Sequence, residues 1–72
     1  MIHVEVTDLF CGEPNYLYVR RFTLPEIENE KEPQTIKRAK RQAGIKAKHK
    51  KEYYNDTITL YFNEFAMFIT FD

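Results

Sequence analysis

The sequence predicts a single small α+β domain of order ββαβββ, with a largely antiparallel sheet and one helix on one face. Three observations predict it. Apolar and polar residues alternate with period two from Ile2 to Thr7 and again from Thr57 to Phe62. A helical stripe, Ile36, Ala39 and Ala43 at i, i+3 and i+7, follows a proline that suits a helix start. The 72 residues suffice for one domain and one modest core, so residues 1–72 are read as a single unit.

The elements follow in order. Ile2-His3-Val4-Glu5-Val6-Thr7 is a strand with one buried side. Gly12-Glu13-Pro14-Asn15 signals a turn, and Tyr16 to Leu24 is dense in aromatic and β-branched residues. The two segments are expected to pair as a hairpin whose loop is longer than the tightest type. Pro25 ends the second strand. Residues 25–32 carry Glu26, Glu28, Glu30 and Glu32 around Ile27 and read as a solvated acidic connection. A helix is predicted over 33–43, with Gly44 as a left-handed C-terminal cap and Ile45 packing back on the last turn. Ile45 to Tyr53 keeps a weak period of two, with Ile45, Ala47, His49 and Tyr53 on one side and Lys46, Lys48 and Lys50 on the other. It is read as a lysine-rich strand at a sheet edge, where charge discourages aggregation. Asn55-Asp56 and Asn63-Glu64 make turns around the strand Thr57 to Phe62, and Phe65 to Phe71 is the last strand.

Charge is segregated along the chain although it sums to zero. Lys37, Arg38, Lys40, Arg41, Lys46, Lys48, Lys50 and Lys51 stand together without an acid, just after the four glutamates of the connection. Part of this pattern suits the helix dipole. A local positive field also attracts phosphate or carboxylate whatever the total charge.

Other chemistry is weakly represented. Cys11 is the one cysteine, which excludes an internal disulfide and suggests a reducing, cytoplasmic setting. With two scattered histidines it lacks the spacing of a zinc site or a nucleophile–base pair, and no cofactor is expected. The N-terminal stretch lacks the pattern of a signal peptide, and no apolar run reaches the length of a membrane span, so a soluble, unprocessed protein without membrane contact is expected. His49 between Lys48 and Lys50, with Glu52 and Tyr53 close in sequence, is the strongest catalytic-type grouping, a general base beside phosphate-binding cations. The acids otherwise stand singly, and the expectation is a protein that is not an enzyme.

With Val4, Val6, Leu17, Val19, Ile58, Leu60, Met67 and Ile69 facing inward, the other sheet face presents Tyr16, Tyr18, Arg20, Tyr61 and Phe68. Together with Lys37, Arg38, Arg41, Lys46, Lys48 and Lys50, the residues Tyr16, Tyr18, Arg20 and Tyr61 are the candidate partner contacts. Rings and cations on one face suit either stacked bases of single-stranded nucleic acid or a protein interface, including a homodimer of two such faces. The same residues also fit a plain sheet stabilised by cross-strand pairs. Acids beside bases favour a host protein or nucleoprotein complex over bare nucleic acid.

The run Val4-Glu5-Val6-Thr7-Asp8, Cys11-Gly12-Glu13-Pro14-Asn15-Tyr16 through Val19-Arg20-Arg21, Arg38-Ala39-Lys40 to Gly44-Ile45, and Tyr54-Asn55-Asp56-Thr57-Ile58-Thr59-Leu60-Tyr61 resembles a group of short accessory proteins of bacteriophages and prophages. The resemblance implies a small cytoplasmic protein of the bacterial host cell, an anti-CRISPR-type inhibitor or a similar antagonist of host defence, and it carries over no catalytic residues.

Overall fold

The computed structural model describes residues 1–71. Among them the chain forms β1 (Ile2–Phe10), β2 (Glu13–Leu24), α1 (Glu32–Ala43), β3 (Lys50–Tyr54), β4 (Thr57–Tyr61) and β5 (Phe65–Phe71). This is the ββαβββ order read from the sequence. The strands make one five-stranded sheet in the order β2-β1-β5-β4-β3, with every pairing antiparallel. The first and last strands lie side by side, Val4 opposite Ile69 and Val6 opposite Met67.

Directly paired residues of an antiparallel sheet point to the same side, so the register fixes the two faces. Val4, Val6, Leu24, Leu60, Met67 and Ile69 lie on one, the core face, and form a single apolar cluster with Ile36 and Ala39 of α1. The opposite face carries Thr7, Val19, Thr59, Tyr61, Ala66 and Phe68. Ala66 is fully buried yet lies outside the cluster.

The register corrects the phase expected for the second strand. Leu17 is 84% exposed and Val19 pairs with Thr7 on the opposite face, whereas Arg20, Phe22 and Leu24 fall on the core face. The strict alternation carried back from Leu17 fails because the ladder is broken there. Between the Thr7–Val19 and Leu9–Pro14 pairs, Asp8 alone faces residues 15–18, which form a wide bulge with Tyr16 at φ 59°. The hairpin loop is also tighter than expected: Phe10 pairs with Glu13 across only Cys11 and Gly12, at φ 54° and 80°. Two consecutive positive φ values are the signature of a type I′ turn, whose twist matches that of the flanking strands.

The helix begins at Glu32, one residue before the predicted start, and the Gln34 side chain accepts the Lys31 N–H at 2.9 Å. Its C-terminus leaves four carbonyls without intrahelical partners, and all four are satisfied. Gly44, at φ 75°, donates its N–H to Arg41 O at 3.1 Å, and Ile45 donates to Lys40 O at 2.9 Å, the Schellman arrangement expected of this glycine. Arg20 reaches from β2 to the other two, Nη2 to Gln42 O at 3.1 Å and Nη1 to Ala43 O at 3.2 Å. The guanidinium fork suits two adjacent carbonyls at the negative end of the dipole.

Two connections depart from expectation. The acidic stretch is not uniformly solvated: the Glu30 side chain is only 9% exposed and is gripped by Arg38, Nε to Oε2 and Nη2 to Oε1 both at 2.7 Å. Arg38 also donates to Pro25 O at 2.8 Å, and Thr35 donates to Glu30 at 2.7 Å, so the connection is clamped to α1. The predicted strand 45–53 begins only at Lys50. Ile45 packs on the cluster, but Ala47 is exposed, and Lys46 and Lys48 lie in an irregular segment. With Gly44 capping and too few apolar residues to bury, residues 45–49 have nothing to hold them in the ladder.

Replacing Arg20 by Ala is expected to lower unfolding stability by about 1 kcal/mol, because two carbonyls lose a charged donor at a partly solvated site. Arg20→Lys is expected to restore less than half of that, since an ammonium cannot fork. Chemical denaturation of the three proteins checks this; full rescue by lysine would contradict it.

Candidate partner-binding groove

At the end of the sheet where the β1–β2 turn, the start of β3 and the end of β4 converge, an open groove of about 1010 Å³ is lined by Gly12, Glu13, Tyr16, Lys48, Lys50, Glu52 and Tyr61 among others. It brings together Tyr16, Lys48, Lys50 and Tyr61, four of the ten candidate contacts read from the sequence. Lys50 pairs with Tyr61 across β3 and β4. The Tyr16 ring stacks on Phe68, centroids 6.5 Å apart and planes 10° from parallel.

The bulge that presents Tyr16 is built by Asp8 and Thr7. Its backbone N–H groups have left the ladder and need other acceptors. Asp8 Oδ1 accepts from Tyr18 N at 3.0 Å and Leu17 N at 3.1 Å, its Oδ2 accepts from Asn15 Nδ2 at 3.1 Å, and Thr7 Oγ1 accepts from Tyr16 N at 2.9 Å. The Tyr18 backbone N–H, the Asn15 side chain and the Leu17 N–H together hold the Asp8 carboxyl below the usual carboxylate range. Asp8 reads in the sequence as a lone acid near a turn. The signal that could have found it is its place across from Pro14-Asn15, where a proline leaves the ladder short of a donor.

The remaining candidates lie elsewhere. Tyr18 is on the core-face side, its ring 6.3 Å from that of Phe65, and Arg20 is engaged with the helix carbonyls. Arg38 is paired with Glu30. Lys37 and Arg41 are exposed on the helix, beside a second recess formed with residues 27–30. Lys46 is exposed in the segment after the cap.

Of the eight clustered bases, three are absorbed by the fold. Arg38 holds Glu30, and Lys51 reaches Glu32 at 3.0 Å, an acid that also accepts the Tyr53 hydroxyl. That hydroxyl, and then Lys51, lower the Glu32 pKa. Lys40 donates to Ala47 O at 2.8 Å, lies 5.6 Å over the Phe62 ring, and its ammonium is 3.3 Å from His49 Nδ1. Among the described residues Lys37, Arg41, Lys46, Lys48 and Lys50 make no ion pair.

Of the catalytic-type grouping, Lys48, His49, Lys50 and Glu52 all line the groove, and only Tyr53 lies apart from it. Glu52 pairs with Thr59 on the opposite face, while Tyr53 pairs with Ile58 on the core face and is held by Glu32. His49 packs edge-on to Phe62, and burial, then Lys40 and Lys51, push its pKa down and favour the neutral ring. No group of three or more His, Cys, Asp and Glu side chains among the described residues is placed to hold a metal ion, and no helix among them is long and apolar enough to cross a membrane. Comparison with protein-family models, curated proteins and solved structures returns no match.

Asp8 gives a pH signature. Its folded pKa lies below the unfolded value of about 3.9, so its contribution to stability is complete above that value and is lost as pH falls through the folded pKa. Unfolding free energy measured from pH 6 to pH 2 is expected to fall less steeply for Asp8→Asn than for the native chain. Identical slopes would contradict the assignment.

Proposed function

We propose that the protein is a non-catalytic binding protein, a phage-type inhibitor of host defence that docks on a protein or nucleoprotein partner. The observation that carries this reading is the set of five bases that have no acid partner among the described residues, Lys37, Arg41, Lys46, Lys48 and Lys50, while their neighbours Arg38, Lys40 and Lys51 are consumed internally. Bases serving only the helix dipole would sit in its last turn, as Lys40 and Arg41 do, whereas Lys46, Lys48 and Lys50 lie beyond the cap. Lys37 and Arg41, one turn apart on the helix, and Lys46 just past its cap are the set offered to an anionic partner. In this reading α1 covers the core face, where Ile36 and Ala39 share the apolar cluster, and the opposite face stays open. The open groove, with Tyr16 and Tyr61 beside both signs of charge, resembles a protein interface more than a phosphate track.

A second reading, direct binding of single-stranded nucleic acid, has one observation in its favour. Three of the four glutamates that argue against phosphate are ion-paired within the chain, Glu30 with Arg38, Glu32 with Lys51 and the exposed Glu26 with the N-terminal amine.

Pull-down from a bacterial lysate with and without nuclease, using the native chain and a Lys37→Ala/Arg41→Ala/Lys46→Ala variant, separates these. A specific protein that survives nuclease and is lost with the variant is the expected result. Recovery of bulk nucleic acid alone would favour the second reading. Its affinity for a single-stranded oligonucleotide should then show a salt slope shallower in the variant by roughly one unit per lost phosphate contact.

A further inference from the structure

Four side chains that line the groove stand on its walls without an ion pair among the described residues. Glu13 comes from the β1–β2 turn and Glu52 from β3, while Lys48 precedes β3 and Lys50 opens it. These four therefore supply two cations and two anions, none neutralised among the described residues. Beside it, the same hairpin end holds Phe10, 68% exposed, and Leu17, 84% exposed, together with the half-exposed Tyr16 ring. Phe10 flanks the turn while Tyr16 and Leu17 lie on the braced bulge, and large apolar side chains gathered at one end of a fold are the kind of surface that marks a contact. The chain as a whole is neutral, so copies meet without net repulsion.

We infer that the groove receives the hairpin end of a second copy of this chain, forming a two-fold dimer. In an isologous contact each patch meets itself reversed. Glu13 and Glu52 of one copy then face Lys48 and Lys50 of the other, twice over, and Phe10, Tyr16 and Leu17 leave water at the same contact. A nucleic acid would be repelled by the two acids, and a strongly acidic protein by the same pair, whereas a surface of equal and opposite charges is its own complement. The contact leaves Lys37, Arg41 and Lys46 outside, so a dimer presents two copies of that cation set and engages an extended partner bivalently. The dimer does not depend on the proposed inhibitor role, and its failure would leave that role standing.

Sedimentation equilibrium over a range of protein concentrations tests it. The native chain is expected to move from 8.7 kDa toward twice that mass as concentration rises, and to dissociate more readily at high salt. Glu13→Lys/Glu52→Lys, with an all-cationic groove, and Lys48→Glu/Lys50→Glu, with an all-anionic one, are each expected to weaken association by about tenfold or more. Mixed one to one, the two variants are expected to form a heterodimer, which also shows that both are folded. A native chain that stays at monomer mass throughout overturns the inference. So does a native dimer untouched by either variant, or a mixture of folded variants that fails to associate.

Discussion

The fork of Arg20 on the last two carbonyls of the helix is the contact on which the rest of the arrangement depends. α1 offers only a narrow apolar stripe, Ile36 and Ala39 with Ala43 half-buried behind them, too little to fix its orientation by packing alone. β2 and β3 are the two edges of the sheet, so the chain between them must travel from one side of the sheet to the other. Arg20 anchors the C-terminus of α1 to β2, which leaves residues 44–49 to complete the crossing to β3, and the Glu30–Arg38 clamp anchors the start of the journey next to Pro25. Both clamps are charge-assisted hydrogen bonds to fixed geometry, and each leaves a costly orphan if one partner is removed. They also explain why two arginines that look available for a partner in the sequence are not.

A second constraint, at the opposite end of β2, shapes the groove. The bulge at residues 15–18 removes three consecutive N–H groups from the ladder, and only an acceptor with several lone pairs could take them together. Asp8 and Thr7 supply it from the adjacent strand. The reward is a change of side for Tyr16, which leaves the parity of Arg20, Phe22 and Leu24 and stacks on Phe68 of the opposite face. Local strain at φ 59° is thus held by hydrogen bonds at the place where the chain offers its aromatic surface.

What was legible in the sequence is what depends on period and on local chemistry. The alternating strand read over Thr57 to Phe62 formed and ends one residue earlier, at Tyr61, and the strand Phe65 to Phe71 formed as read. Gly44 with Ile45 made the expected cap because both partners of a Schellman motif lie within the helix's own last turn. What was not legible depends on partners distant along the chain. Nothing local says that Glu30 will be buried against Arg38, or that Arg20 will point under the helix. The bulge hid the parity of β2, since a break in the ladder resets which side each residue takes. In the candidate site, Tyr16, Tyr61, Lys48 and Lys50 converge as their types suggested. Glu13 escaped notice, and Glu52 was read only beside His49, because each looks like an ordinary surface acid until the fold brings it into one groove with Lys48 and Lys50.

The most direct test of this account is a methyl-to-methyl nuclear Overhauser map of the isotopically labelled protein. Cross-peaks from the Ile36 and Ala39 methyls to those of Val4, Val6, Leu60 and Ile69 are predicted, with none to Thr7, Thr59 or Ala66. Cross-peaks from the helix to the latter three would place α1 on the other face and contradict the whole arrangement of clamp, groove and free cations.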